Sequence, residues 1–475
     1  MEYKNIHMSG ACCGLDIGDG SERAEYVNQD YMINVLGRPH RLVNIMYTYY
    51  PLDEQWPQRI SEAMKDAEVN FAWDYPYDDY NPFVFGGTAF EQMQDIRKHG
   101  QDVMLTLTID CAVDDSHLYK IAESLKGYGR MALRINHECN GEWFTHNKRF
   151  SYTEVADFFV RFSKIIKETA PNVSVVFCAG MMLQEEEGVE PKIDKEDELL
   201  KGYLHSDIWS ADRYLALNYG WPYDIAEAGG GRYYADSVKD VYERYKATYA
   251  RLCKLAPAKP FIQAEFNTDG DVTGPLHQAE SIARYYNMVK EDDCGCINGI
   301  SMYQFRDRGR LGLEIEDPNN SAVGIKQPLF DEYKKIIFDP YFYPQVAKAN
   351  DEQVSFPATL RWGGSEDADG IGIEIDFDAN PEFCEVTFDE DVALMMEINS
   401  KWFYKAKGVK TIDLMPAFFE KPLSGPAILN LNVFATPADG INSDDGRDDW
   451  MTNSYSVIKQ APDFRIRYEA PLQVG

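Results

Sequence analysis

Apolar runs alternate with helical stripes through the first two thirds of the chain, which is the βα rhythm of a parallel barrel. Candidate strands fall at 42–49 (Leu-Val-Asn-Ile-Met-Tyr-Thr-Tyr), 70–75, 103–110, 131–138, 173–179, 208–214, 260–266 and 299–306, eight in all. Between the fourth and fifth, Ser151-x-x-Glu154 is a capping box, and Val155, Phe158, Phe159, Phe162, Ile165 and Ile166 recur at helical spacing as a core-facing stripe. The pattern predicts a (β/α)8 TIM barrel over residues 41–345, a fold that takes about 250 residues. From residue 346 the rhythm changes to short alternating stretches between Gly, Pro and Asp turns: Val354–Trp362, Gly370–Phe377, Phe383–Phe388, Val392–Ile398 and Ala427–Thr436. These predict an antiparallel β-sandwich over 346–475. Residues 1–40 carry their own strand-like pieces, Ile6–Leu15 and Tyr31–Leu36, and are expected to pair with that sandwich, closing it from both chain ends.

The fourth and seventh candidate strands both end in a glutamate, Glu138 and Glu265. Side chains alternate along a strand, so Arg134, Asn136 and Glu138 should share the face lining the barrel mouth, opposite Leu133 and Ile135. By the same rule Gln263 and Glu265 should point inward, with Ile262, Ala264 and Phe266 toward the helices. Catalytic groups of such barrels sit at the C-terminal strand ends. A carboxylate pair there is what glycoside hydrolysis requires. A single strand-end glutamate has a plainer reading, as a solvated or ion-paired side chain; two beside inward polar residues favour chemistry.

The segment Arg134-x-x-His137-Glu138-x-Asn140-Gly141-x-Trp143-Phe144 resembles the Arg-Pro-x-His-Glu-Met-Asn-Gly-x-Trp signature of glycoside hydrolase family 26, matching at six positions. That family belongs to a clan of retaining (β/α)8 hydrolases, and a sister family of the clan fits as well. The resemblance implies that Glu138 is the acid/base and that Glu265, within Ala264-Glu265-Phe266, is the nucleophile. It further implies that Asp212-Arg213-Tyr214 corresponds to a strand-6 Asp-x-Tyr whose hydroxyl meets the nucleophile. Asn136 and Cys139 depart from the pattern, and Tyr303 begins a Tyr-Gln-Phe-Arg-Asp run where a Trp is usual. Around the pair, Arg134, His137, Asn140, Trp143, Asp212, Tyr214, Trp73 and Tyr303 form the expected substrate-binding set. Arg134 would add positive potential beneath the carboxylates, and His137 would bind a sugar hydroxyl or serve as a structural hydrogen-bonding group. Asp74 and Asp110 would lie within reach of the same mouth.

Charge narrows the substrate. The 47 basic and 78 acidic residues leave a net −31, which disfavours nucleic acid and anionic membranes and repels polyuronates, although simple solubility explains the same imbalance. Neutral β-linked glycans or oligosaccharides remain, with β-mannan the commonest activity of the resembled family and β-glucan and xylan as alternatives. A catalytically inactive carbohydrate-binding protein would be signalled by loss of one carboxylate, and both are present. No cofactor is called for. Metal-dependent hydrolysis would need His and Asp at strand ends, but His117, His146, His205 and His277 fall in loops or helices. The acidic clusters 366–369 and 444–449 lack EF-hand spacing, and Cys12-Cys13 and Cys294-Gly-Cys296 lack CxxC spacing. Nine cysteines, several inside strands, read as reduced and buried. With no signal peptide visible at the N-terminus, a cytoplasmic site is the expectation. Trp362, Trp402 and Trp450 would permit a carbohydrate-binding face on the sandwich, against the plainer reading of a rigidly packed accessory domain.

Overall fold

The computed structural model describes residues 14–18, 26–37, 40–53, 55, 81–98, 101–128, 131–183, 188–218, 233–292, 295–307, 309–320, 322–339, 341–342, 356–362, 370–436 and 454–468. Its contacts divide the chain into two compact units that meet in sequence at Pro344 and Gln345.

In the first unit, eight parallel strands close into a ring: β1 (Gly14–Gly18), β2 (Leu42–Tyr49), β3 (Asp102–Ile109), β4 (Met131–Ile135), β5 (Val173–Ala179), β6 (Ile208–Ala211), β7 (Phe261–Phe266) and β8 (Gly299–Met302). β1 pairs with both β8 and β2, which completes the barrel. Among the described residues a main helix follows each strand: α1 (Gln29–Leu36), α2 (Thr88–Lys98), α3 (Asp115–Leu125), α4 (Tyr152–Thr169), α5 (Glu196–His205), α6 (Val238–Leu255), α7 (Pro275–Asp292) and α8 (Pro328–Ile337), with short turns of helix at Thr145–Arg149 and Gly270–Thr273 besides. The capping box at Ser151 and Glu154 is formed as the sequence predicts. Alternation splits the strand residues into two apolar sets. Leu42, Met104, Ala132, Val176, Ile208, Ile262 and Ala264 fill the barrel interior, while residues such as Val43, Leu105, Leu133, Val175 and Trp209 join the helices in the larger core.

Two sequence expectations are corrected here. The described residues before 40 belong to the barrel, not to the sandwich: Gly14–Ile17 align with Gly299–Met302, while residues 6–13 of the expected strand Ile6–Leu15 lie outside the described residues. Tyr31–Leu36 is helical, capped by the Asn28 side chain at one end and by Gly37 at φ 92° at the other. Val27, Met32 and Leu36 of this segment are buried in the barrel core, and the Tyr31 hydroxyl donates to Glu314 at 3.1 Å. The second correction concerns strand count. β2 pairs with β3 over all eight of its residues and with β1 on its other side, so 42–49 is the second strand of the ring. Residues 70–75, with Trp73 and Asp74, lie outside the described residues. Glu138 still follows the fourth strand of the ring, because β1 stands before 42–49.

The second unit is a β-sandwich. A four-stranded antiparallel sheet has the order β10 (Ile371–Phe377), β15 (Ala427–Phe434), β12 (Leu394–Ile398), β13 (Lys401–Lys405). A three-stranded sheet has the order β14 (Thr411–Asp413), β11 (Pro381–Thr387), β17 (Asp463–Tyr468), and β9 (Ala358–Trp362) pairs with β16 (Ser454–Ile458). Ile373, Ile375, Met396, Leu431 and Val433 of the larger sheet share one buried cluster with Cys384, Val386, Phe464 and Ile466 of the smaller. The acidic clusters at 366–369 and 444–449, together with Trp450, Cys12, Cys13 and Cys294, fall outside the described residues. Among the described residues no helix is long and apolar enough to cross a membrane.

Candidate active site

The alternation argument brings Arg134, Glu138 and Glu265 to the mouth as expected but fails at Asn136 and Gln263, because neither glutamate is reached by regular strand. β4 ends at Ile135, and Asn136 (φ 46°) and Glu138 (φ 50°) adopt left-handed backbone around His137. Left-handed L-residues cost on the order of 1 kcal/mol each. Side-chain anchors hold them there. Asn136 Oδ1 accepts the Ile109 N–H at 2.6 Å, and its amide donates to Cys111 Sγ at 3.4 Å. Asn136 is therefore bound to the end of β3 and does not line the mouth with Arg134, contrary to the strand-period expectation.

On β7 the register against β8 shifts between Gln263 and Phe266. Ile262 and Ala264 lie inside the barrel, while Gln263 is buried against the Tyr285 hydroxyl of α7 and Phe266 packs on the Tyr285 ring. The expected faces are thus exchanged over residues 262–264, whereas Phe266 keeps its expected place toward the helices and the irregularity turns Glu265 inward beside Ala264. A bulge is the usual device for re-aiming a side chain at a strand end.

The result is a compact carboxylate cluster. Glu138, Asp212 and Glu265 each offer an oxygen within 4.8 Å of the other two. Arg134, completely buried, is hydrogen-bonded to Glu265 and donates to Asp212 Oδ2 at 2.9 Å and to Thr106 Oγ1 at 2.8 Å. The Tyr214 hydroxyl donates to Glu265 Oε2 at 2.7 Å. Asp212 accepts the Glu265 backbone N–H at 3.0 Å and the Cys178 thiol at 3.1 Å. Both oxygens of Glu265 are therefore held by hydrogen-bond donors.

Glu138 has the opposite environment. Burial first, then the negative charges of Glu265 and Asp212, push its carboxyl well above the ordinary range, while the Trp143 indole N–H, donating at 2.6 Å, pulls the other way. Gly141 makes room for that indole: a Cβ there would lie 2.2 Å from Trp143 Cη2. Asp212 is itself pushed up to about 7 by burial, against the pull of Arg134. A cation could in principle be held by these three carboxylates, but the Arg134 guanidinium already supplies the positive charge that Asp212 and Glu265 share.

The remaining expected site residues separate into cleft wall and support. Tyr303 packs edge-on against Tyr214, with ring centroids 5.7 Å apart, in a cluster with Met46, Phe144 and Leu311. Trp143 keeps 37% of its surface open. Arg134 and Asp212, expected among the substrate contacts, have no side-chain exposure and bond to Glu265 instead, so they are corrected to supports. His137 is buried, 3.7 Å from Glu265 Oε1 and packed on Phe144, and burial holds its ring neutral. Asn140 donates to Asp194 at 3.0 Å. Asp110 accepts the Ala112 N–H and pairs with Arg149 at 3.3 Å.

Two members escaped sequence reasoning. Cys178 was read as a buried hydrophobe, although counting inward from Val176 would have placed its thiol in the barrel interior. Tyr234, packed on the Met46–Tyr303 cluster and under the Arg213 guanidinium at 4.0 Å, comes from a short ribbon, Tyr233–Ala235 paired with Ala216–Asn218, that gives no strong signal in sequence.

No family model and no curated protein matches the chain. Among solved structures it is similar to a GH26 β-mannanase from Bacteroides ovatus, at 11% identity, 69% coverage of this chain and 89% of that one, and a TM-score of 0.42. It is also similar to a family 39 glycoside hydrolase from the gut symbiont Bacteroides cellulosilyticus WH2, at 12% identity, 90% and 82% coverage, and a TM-score of 0.40. A calcium-binding mutant of Bacteroides uniformis β-glucuronidase 2 gives 12% identity, 94% and 45% coverage, and a TM-score of 0.39.

Proposed function

We propose that the protein is a retaining glycoside hydrolase acting on neutral β-linked glycans or oligosaccharides, with Glu265 as nucleophile and Glu138 as acid/base. The observation that carries this reading is the carboxylate pair within 4.8 Å in opposed environments. Retaining enzymes keep the two carboxyls about 5–5.5 Å apart, whereas inverting enzymes leave about 6.5–9.5 Å for a water. Glu265, held by Arg134 and Tyr214, attacks the anomeric carbon. Glu138 gives its proton to the leaving oxygen, then takes one from the water that hydrolyses the glycosyl-enzyme. Trp143 orients Glu138 through its N–H, and the net charge of −31 favours uncharged substrates over polyuronates. β-Mannan is the first substrate to test, on the resemblance of the 134–144 segment, with β-glucan and xylan as the comparison.

The test pairs variants with substrates. Glu265→Ala should abolish turnover of every substrate, while Glu138→Ala should lose far less on aryl glycosides whose leaving group needs no protonation. Azide should restore Glu138→Ala and yield a glycosyl azide of retained configuration. Equal losses for both variants on the activated substrate, or an inverted product by NMR, would overturn the roles. A wild-type chain that binds oligosaccharides but releases no product would instead identify a catalytically inactive binding protein.

A further inference from the structure

The strand Lys401-Trp-Phe-Tyr-Lys405 turns Phe403 to the core of the sandwich but two of its aromatics away from it. Trp402 and Tyr404 point outward, 51% and 37% exposed, while Lys405 is fully buried and spends its ammonium on the carbonyls of Glu390 and Val392 at 3.2 and 2.7 Å. A slip of one residue would bury both aromatics and free the lysine. The same slip would turn Phe403 out of the core on which it packs, and the observed register is held by the pairing of Leu394 through Ile398 with Lys405 through Lys401.

The neighbours across the sheet continue the outward surface. Tyr404 sits opposite Met395, which sits opposite Phe434; Trp402 sits opposite Glu397, which sits opposite Asn432. The rings of Trp402 and Phe434 are 5.7 Å apart and inclined by 33°, so Phe434 packs against Trp402 and steadies it. Beside it lies a polar strip. Asn432 donates to Glu397 at 2.8 Å, and Asn430 pairs with Glu374 on the next strand. Gly372, opposite Asn432, leaves that part of the surface low.

We propose that this outward face of the sheet β10-β15-β12-β13 binds a neutral glycan chain, with sugar rings stacked on Trp402 and Tyr404 and hydroxyls hydrogen-bonded along the Asn430, Asn432 and Glu397 strip. Aromatic faces suit the C–H surface of a pyranose, and amides and carboxylates together match hydroxyls as donors and acceptors. The carboxylates Glu374, Asp376 and Glu397 set the sign of the surface, which repels uronates, phosphates and nucleic acid and accepts uncharged hydroxyl-rich chains. This site lies wholly within the second unit and does not depend on the barrel being active.

The test is affinity electrophoresis of the full-length Glu265→Ala chain through native gels containing soluble galactomannan, glucomannan, mixed-linkage β-glucan or arabinoxylan, with polygalacturonate as the anionic comparison. At least one neutral polysaccharide should retard the chain and polygalacturonate should not. Adding Trp402→Ala should weaken the retardation about tenfold, and Trp402→Phe should restore most of it. In the otherwise wild-type chain, Trp402→Ala should leave hydrolysis of short oligosaccharides unchanged. Absence of retardation in every neutral gel, retardation by polygalacturonate alone, or equal retardation with and without Trp402 would overturn the proposal. An inactive barrel with Trp402-dependent retardation would overturn the catalytic reading and leave this one standing.

Discussion

Replacing Trp143 with Phe tests the acid/base assignment through a single atom. The ring keeps its place over Gly141, but the N–H that donates to Glu138 at 2.6 Å is gone. That bond stabilises the carboxylate form, against burial and the charges of Glu265 and Asp212 that favour the acid. A hydrogen bond to a charged group contributes about 1.5–3 kcal/mol. Trp143 is more than a third exposed, so water screens it and the lower end applies, about tenfold in proton affinity. The alkaline limb of kcat/KM, which falls as Glu138 loses its proton, should therefore move up by about one pH unit. Gly141→Ala should move it the same way by expelling the indole. The assay is a pH series of initial rates on a neutral oligosaccharide that the wild type cleaves. An alkaline limb that stays put or moves down in both variants would refute the reasoning, because Trp143 would then not be touching the ionised acid.

Arg134→Met leaves Asp212 and Glu265 buried without their shared cation, and breaking such a pair costs about 3–5 kcal/mol; urea unfolding that shows a loss below about 1 kcal/mol would remove Arg134 as the keystone of the site. Asp212, raised to about 7 by burial, keeps in the native state a proton that the unfolded chain releases near pH 4, so its contribution to stability is complete below that pH and is lost as pH rises to about 7. Because His137 and His146, held neutral by burial, act with the opposite sign at acidic pH, the measurement is the stability difference between wild type and Asp212→Asn. It should turn against the wild type between pH 5 and 7.5, and a flat difference would contradict the shift. Gly202→Ala, a change that usually helps a helix by about 1 kcal/mol, should instead destabilise by about 1–3 kcal/mol, since the new methyl would lie 2.2–2.6 Å from the buried Phe177 ring; a raised melting temperature would show that the ring can yield.

The sequence by itself determined the barrel, the change of architecture after residue 345, and the pair Glu138 and Glu265, because apolar period and turn residues act locally and the 134–144 segment keeps its six signature positions together. It misread what depends on partners distant in the chain. Gly14–Gly18 is a barrel strand only because β8 and β2 lie on either side of it, and nothing within five residues distinguishes that from a sandwich edge. Tyr31–Leu36 alternates well enough to suggest a strand, yet Asn28 and Gly37 cap it as a helix packed on the barrel. The period of two was sound until each strand reached its functional end. There Asn136 and Glu138 leave the strand conformation and β7 shifts register, so that Glu265 joins Ala264 on the inner face. Tertiary structure alone decided that Asp212 bonds Arg134 and the Glu265 backbone, that Cys178 bonds Asp212, and that the indole of Trp143 reaches Glu138. In the sandwich it decided that Trp402 and Tyr404 face outward, for a strand's two faces are interchangeable until its neighbours fix the register.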